Sequence, residues 1–185
     1  MITRILYILF ILIFNLNVNA NPAPLGLELN KATISDVEKL YHITKKENNH
    51  WEGYNYYLNV GDVKLEGLTK LLIICNDDNI IQAVILTIDK SKFTEFYQLL
   101  SEKYKLTYNQ NPRLGDKEIR FADSDCTIIL EAPHLSFSMV LIYITDEFLT
   151  KFKGKQKEEE NLKKTKNCCS SIGEKLVTSL LAYYL

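Results

Sequence analysis

The sequence predicts an α+β domain. It is an antiparallel sheet with helices on one face, built from two tandem α-β-β-β units and followed by a C-terminal helical tail. Three observations carry this. Apolar runs of strand length, some alternating with period 2, recur between residues 51 and 145. Two stretches with apolar residues at helical spacing each precede a group of such runs. Between two of the runs lies Asn76-Asp77-Asp78-Asn79, a tight hairpin signal.

The composition agrees. The chain has 185 residues, 46% hydrophobic and 24% charged. That excludes a disordered or low-complexity chain, and the length holds one domain or one domain plus a tail. The formal net charge is −1 and the pI about 6.3, so no basic field points to nucleic acid.

Residues 1–20 read as a secretory leader. Arg4 supplies the positive start, residues 5–14 are an unbroken apolar run, and Val18-Asn19-Ala20 suits a cut after Ala20. The run falls short of the ~20 apolar residues that span a bilayer. No Cys follows it to carry a lipid. Loss of the leader leaves 165 residues with 21 basic and 23 acidic side chains, a charge of −2. The expected location is periplasmic or secreted.

Residues 21–150 are the expected α+β domain, with halves at 25–90 and 91–146. After an extended segment, Thr33 and Asp36 form a capping-box pair opening a helix over 34–42, with Ile34, Val37, Leu40 and Tyr41 on its apolar face. A polar loop rich in Lys, Glu, Asn and His is expected next. Strands follow at 51–60, 68–76 and 80–88, the last apolar on both faces and hence central. Asp89 or Ser91 caps a second helix whose stripe is Phe93, Phe96, Tyr97, Leu100 and Tyr104. Strands resume at 105–109, 117–122, 126–131 and 135–145. Leu135, Phe137, Met139, Leu141 and Tyr143 line one face of the last, after a break at Pro133.

Residues 151–185 are expected as a charged linker and an amphipathic C-terminal helix. Phe148, Leu149 and Phe152 form a short helix that Gly154 weakens. Residues 151–166 hold seven Lys and three Glu, read as a solvated helix or a disordered stretch. Ile172, Leu176, Val177, Leu180, Leu181 and Tyr184 recur at helical spacing. Residues 172–185 are therefore a candidate for docking on the body, a partner or a membrane surface.

The opening Leu25-Gly26-Leu27-Glu28-Leu29-Asn30-Lys31-Ala32-Thr33, with Asp36-Val37 after it, resembles the start of small exported bacterial domains. These are the outer-membrane assembly lipoprotein BamE and the β-lactamase-inhibitor proteins, and the latter also carry two helix-plus-meander units. This chain has Asn30 where those families often place Gly, and lacks the lipidated Cys. The resemblance implies an exported protein-binding module of the bacterial envelope and supplies no catalytic residues.

Chemistry-bearing motifs are scarce. There is no G-x-S-x-G, phosphate-binding Gly loop, H-E-x-x-H, EF-hand loop, CxxC or Cys/His cluster, so no cofactor or metal is expected. Of four cysteines, Cys75 and Cys126 are a candidate disulfide or two buried small apolar residues, and Cys168 and Cys169 are adjacent in a polar segment. His42, His50 and His134 are the histidines. His134 with Ser136 and Ser138 is the nearest approach to a hydrolase set, and His42, Glu47 and His50 to a metal set. Trp51, Tyr54, Tyr56 and Tyr57 are the candidate binding residues, because exposed Tyr and Trp make interface anchors. The expected partner is another envelope or secreted protein. The alternatives are a carrier of a small apolar ligand and a small hydrolase.

Overall fold

The computed structural model describes residues 20–49, 51 and 53–166. Along the chain come α1 (Ile34–Leu40), β1 (Ile43–Asn48), β2 (Gly53–Leu58), β3 (Leu68–Asn76) and β4 (Ile81–Asp89). Then follow α2 (Phe93–Lys103), β5 (Lys105–Gln110), β6 (Lys117–Asp123), β7 (Cys126–Ala132), β8 (Ser138–Thr145) and α3 (Asp146–Lys166). The strands form one sheet of order β1-β2-β3-β4-β8-β7-β6-β5, antiparallel throughout. Each run of four strands is a meander, and the last strand of each meets the other at the centre. This is the α+β class expected from the sequence, with α1 and α2 on one face.

Local chemistry sets the element ends. At the start of α1 the Thr33 backbone N–H and its hydroxyl both donate to Asp36 Oδ2, each at 3.0 Å. Lys39 and these Thr33 donors hold the Asp36 carboxyl down at about 2. Asn30 adopts φ 59°. A short polar side chain tolerates this left-handed conformation, so Asn serves where Gly would ordinarily stand. The β3–β4 turn closes through Asn76, whose side chain accepts from Ile80 N at 2.9 Å, with Asn79 at φ 61°. Gly53 opens β2 at φ 155°, where an added Cβ would collide with the Cys75 carbonyl oxygen and lie 2.9 Å from the Asn76 backbone.

Strand register sorts the side chains into two faces. Tyr56, Ile73, Val84, Leu86, Leu141, Ile128, Leu130, Ile119 and Phe121 share the face that packs with Val37 of α1 and with Phe93, Leu100 and Tyr104 of α2. The other face carries Leu72, Ile74, Ala83, Ile85, Ile129, Val140, Ile142 and Ile144, and all eight are buried as well. β4 is apolar on both faces because it sits at the centre, hydrogen-bonded to β3 and β8.

Three expectations are corrected. Residues 43–48, read as a polar loop, are edge strand β1. An edge strand with mostly exposed side chains needs no apolar alternation to pair with its one neighbour. The last strand begins at Ser138, so Leu135 and Phe137 lie in the turn before it rather than on its core face. The helix expected to be short and weakened at Gly154 instead runs on as α3 through that position, where good helix formers flank the glycine, so 151–166 takes the helical of its two readings. The sheet-bearing unit ends at Leu149 and a second unit begins at Thr150. The leader, His50, Cys168, Cys169 and the amphipathic stretch 172–185 lie outside the described residues.

Candidate binding surfaces

β2 positions the aromatic cluster, and its pleat divides it. Tyr54 and Tyr56 face the helices, with Tyr57 on the opposite side. Tyr56 is 3% exposed, and its hydroxyl donates to Asn79 Oδ1 at 3.0 Å, tying β2 to the β3–β4 turn. Trp51 is also buried, its ring edge-on to Phe148 at 6.0 Å. Tyr54 is half-buried, with the Lys46 ammonium 3.7 Å from its ring centroid. Tyr57 is half-buried beneath Lys45. The four residues therefore do not make one exposed face. Two are core, because aromatics fill the wide space between a pleated sheet and its helices.

Cys75 and Cys126 are free and buried. β3 and β7 are separated by β4 and β8, so three inter-strand spacings, roughly 14 Å, lie between the strands that carry them. A disulfide needs Cα atoms within about 7 Å, so the candidate bridge is not formed. Burial pushes both thiols up to about 12, which makes them inert apolar groups.

The histidines find structural partners. His42 Nδ1 lies 3.5 Å from Asp62 Oδ2 on the surface. His134 Nδ1 accepts from Gly115 N at 3.4 Å, and Ser136 Oγ accepts from Ser138 N at 3.0 Å, so neither is arranged toward the other as a base and nucleophile. Among the described residues no group of three or more His, Cys, Asp or Glu is placed to hold a metal, and no helix is long and apolar enough to cross a membrane.

Two surfaces escape the sequence reading. The first is the loop end made by residues 111–116 and 133–137, where Leu114 is 79% exposed and Leu135 and Phe137 are each 93% exposed. The loops are braced. Lys90 Nζ donates to the carbonyls of Pro133 and His134, and Lys90 N to that of Phe137 at 2.9 Å. Asp116 Oδ1 accepts from His134 N at 2.8 Å. The signal available in sequence was the Pro133, Ser136 and Ser138 pattern, typical of a turn rather than a strand.

The second is edge strand β5, all six of whose residues are exposed, Leu106 at 43% and Tyr108 at 42%. Tyr108 stacks against the Arg120 guanidinium at 5.3 Å, and Arg120 pairs with Glu118 at 2.5 Å. Glu118 stands directly opposite Glu131 of β7. Burial, and then the Glu118 charge, push the Glu131 carboxyl up to about 8. It is therefore neutral near pH 7, which is how a carboxyl group is tolerated at 6% exposure.

No family model, no curated protein and no solved structure matches the chain.

Proposed function

We propose that the chain is an exported, non-enzymatic protein-binding module of the bacterial envelope, and that edge strand β5 receives an extended segment of its partner. The observation that carries this is the contrast between the two sheet edges. β1 presents Lys45, Lys46 and Glu47 in its middle, the charges that keep an edge from recruiting another strand. β5 presents Lys105 and then five uncharged residues, all exposed. An open, weakly charged edge is what strand addition uses: main-chain hydrogen bonds give affinity and flanking side chains give selectivity. The leader at residues 1–20 supports export. The element order, a helix and four strands followed by a helix and four strands, supports two tandem units and with them the resemblance to exported helix-plus-meander binding domains.

The test is cross-linked capture from the producing cell's envelope fraction, with the chain and its Leu106→Lys/Tyr108→Lys variant. Both side chains are substantially exposed, so the fold is retained. One protein enriched by the parent chain and reduced about tenfold or more by the variant supports the reading, since charge at an edge costs strand pairing. Equal capture by both chains overturns β5 as the contact, and no specific capture overturns the binding module.

A further inference from the structure

We propose that Glu131 is a proton-controlled brace for edge strand β5. Its protonated carboxyl leaves Arg120 to Glu118 and against Tyr108, and its ionised carboxylate draws Arg120 inward and releases the Tyr108 ring. The inference deepens the strand-addition reading and rests on it for the role of β5, but the brace is built from groups that need no partner.

The register places the parts. On the sheet face away from α1 and α2, Glu131 of β7 stands opposite Glu118 of β6, and Glu118 opposite Gln110 of β5. Two residues along β6, Arg120 stands opposite Tyr108 of β5 on one side and Ile129 of β7 on the other. Glu131 is therefore a diagonal neighbour of Arg120. Diagonal neighbours across paired strands lie within reach of a long side chain, so Arg120 can serve Glu131 as well as Glu118.

The charges are set for a shared cation. Arg120 spends two nitrogens, Nε and Nη2, on one oxygen of Glu118, each at 2.5 Å. A guanidinium has five N–H donors, so donors remain for a second acceptor. No hydrogen bond among the described residues holds the Glu131 carboxyl, which is 6% exposed. A neutral carboxyl tolerates that position far better than a carboxylate does. Among the described residues the charged groups acting on it are Glu118 and Arg120 of β6 and Asp116 of the loop before β6, while β8 places Val140 opposite it. Asp116 already accepts the His134 amide. When Glu131 gives its proton to water, a second carboxylate faces Glu118, and Arg120 is the cation that can lie between the two.

The output is at the edge. Arg120 is also the cation on the Tyr108 ring, 5.3 Å from its centroid. Tyr108 is 42% exposed within β5, so the position of its ring is part of what an added strand meets. A guanidinium that moves inward gives up the ring. The Tyr108 hydroxyl still donates to Gln110 Oε1, at 2.7 Å, on the exposed surface.

The test needs no partner at first. The arginines of the full chain are Arg4, Arg113 and Arg120, so arginine labelled with ¹³C at Cζ gives three signals by NMR. Between pH 6 and 9.5 the Arg120 Cζ signal and the Tyr108 ring signals are expected to move together, with a midpoint near the value of about 8 set by burial of Glu131. The exposed Arg113 signal and the β4 amide signals should stay in place, which separates a local movement from unfolding. Glu131→Gln should hold both moving signals at their low-pH positions throughout. Flat Arg120 and Tyr108 signals in the parent chain overturn the proposal. So does the same titration in Glu131→Gln, and so does an Arg120 movement that the Tyr108 ring does not follow. Cross-linked capture from the envelope fraction is then compared at pH 7 and pH 9. The parent chain should capture about two- to fivefold less at pH 9, the worth of one exposed cation–π contact, and Glu131→Gln should capture equally at both. Equal capture by the parent at both values overturns control of β5. Absence of capture at every pH counts against the binding module alone, and the NMR titration still decides the brace.

Discussion

Two short stretches of the molecule sort their side chains in opposite ways. Around residues 51–57 the sorting is the ordinary one: Trp51 and Tyr56 are buried, and the charged Lys45 and Lys46 lie outside against Tyr57 and Tyr54. Around residues 131–137 it is inverted, with a buried carboxyl group at Glu131 and two almost wholly exposed apolar side chains at Leu135 and Phe137. The first arrangement needs nothing beyond core packing to explain it. The second gains no stability from burial of its apolar groups and must desolvate a carboxyl. Such a segment is better explained by what it meets than by what it holds together.

The largest expected effect breaks the first region. Tyr56→Ala removes a buried ring and its hydroxyl bond to Asn79, and should cost about 3–5 kcal/mol, seen as a lower denaturant midpoint at unchanged slope. Phe137→Ala, also an aromatic truncation, should then fall within about 0.5 kcal/mol of the parent. Comparable losses at both sites would abolish the contrast.

The next effect sharpens the inverted region through pH. The folded Glu131 carboxyl sits at about 8 against an ordinary value of 4.5, because burial disfavours its charge, so the folded state prefers it protonated. Its contribution is fully present below the unfolded value and is lost as pH rises through about 8. Stability should decline between those values by something on the order of 2–4 kcal/mol. Glu131→Gln keeps the shape without the charge and should flatten the decline, making the variant the more stable chain at pH 8.5. A parent whose denaturation midpoint is level across that range would show that Glu131 is solvated.

Much of this fold was legible in sequence, for a physical reason. The strand at residues 68–76, the doubly apolar β4 and the Thr33–Asp36 capping pair are local patterns that record burial or a bond a few residues away. The misread parts depend on distant groups. Leu135 and Phe137 continue the period-2 pattern of β8, and the turn that takes them out of the strand is braced by groups distant in the chain, Lys90 and Asp116. β1 carries no apolar alternation because it pairs on one side only. The aromatic cluster was visible as a cluster, but which members faced solvent depended on distant elements: the helices over the Tyr56 face of the sheet and Phe148 beside Trp51.

Lys90 is accordingly the third test. Lys90→Met retains the aliphatic stem and removes the ammonium that holds two loop carbonyls. It should cost about 1–2 kcal/mol, and it should speed hydrogen exchange at the Ser136 and Ser138 amides more than at β4 or β8. Uniform protection across the loop and the strands would mean that the turn is held without the clamp.

The smallest expected effect is the most discriminating. Leu135→Ser/Phe137→Ser removes two large apolar side chains from a chain of this size, a change that in the core would unfold it. At 93% exposure there is almost no buried area to lose. The double variant should therefore melt within about 0.5 kcal/mol of the parent, and it should be the more soluble of the two, since it deletes an exposed apolar patch. A loss above about 1 kcal/mol would mean that the two side chains are packed in solution against another part of the chain or another copy. In that case the segment would follow the same sorting rule as residues 51–57, and the contrast between the two regions would disappear.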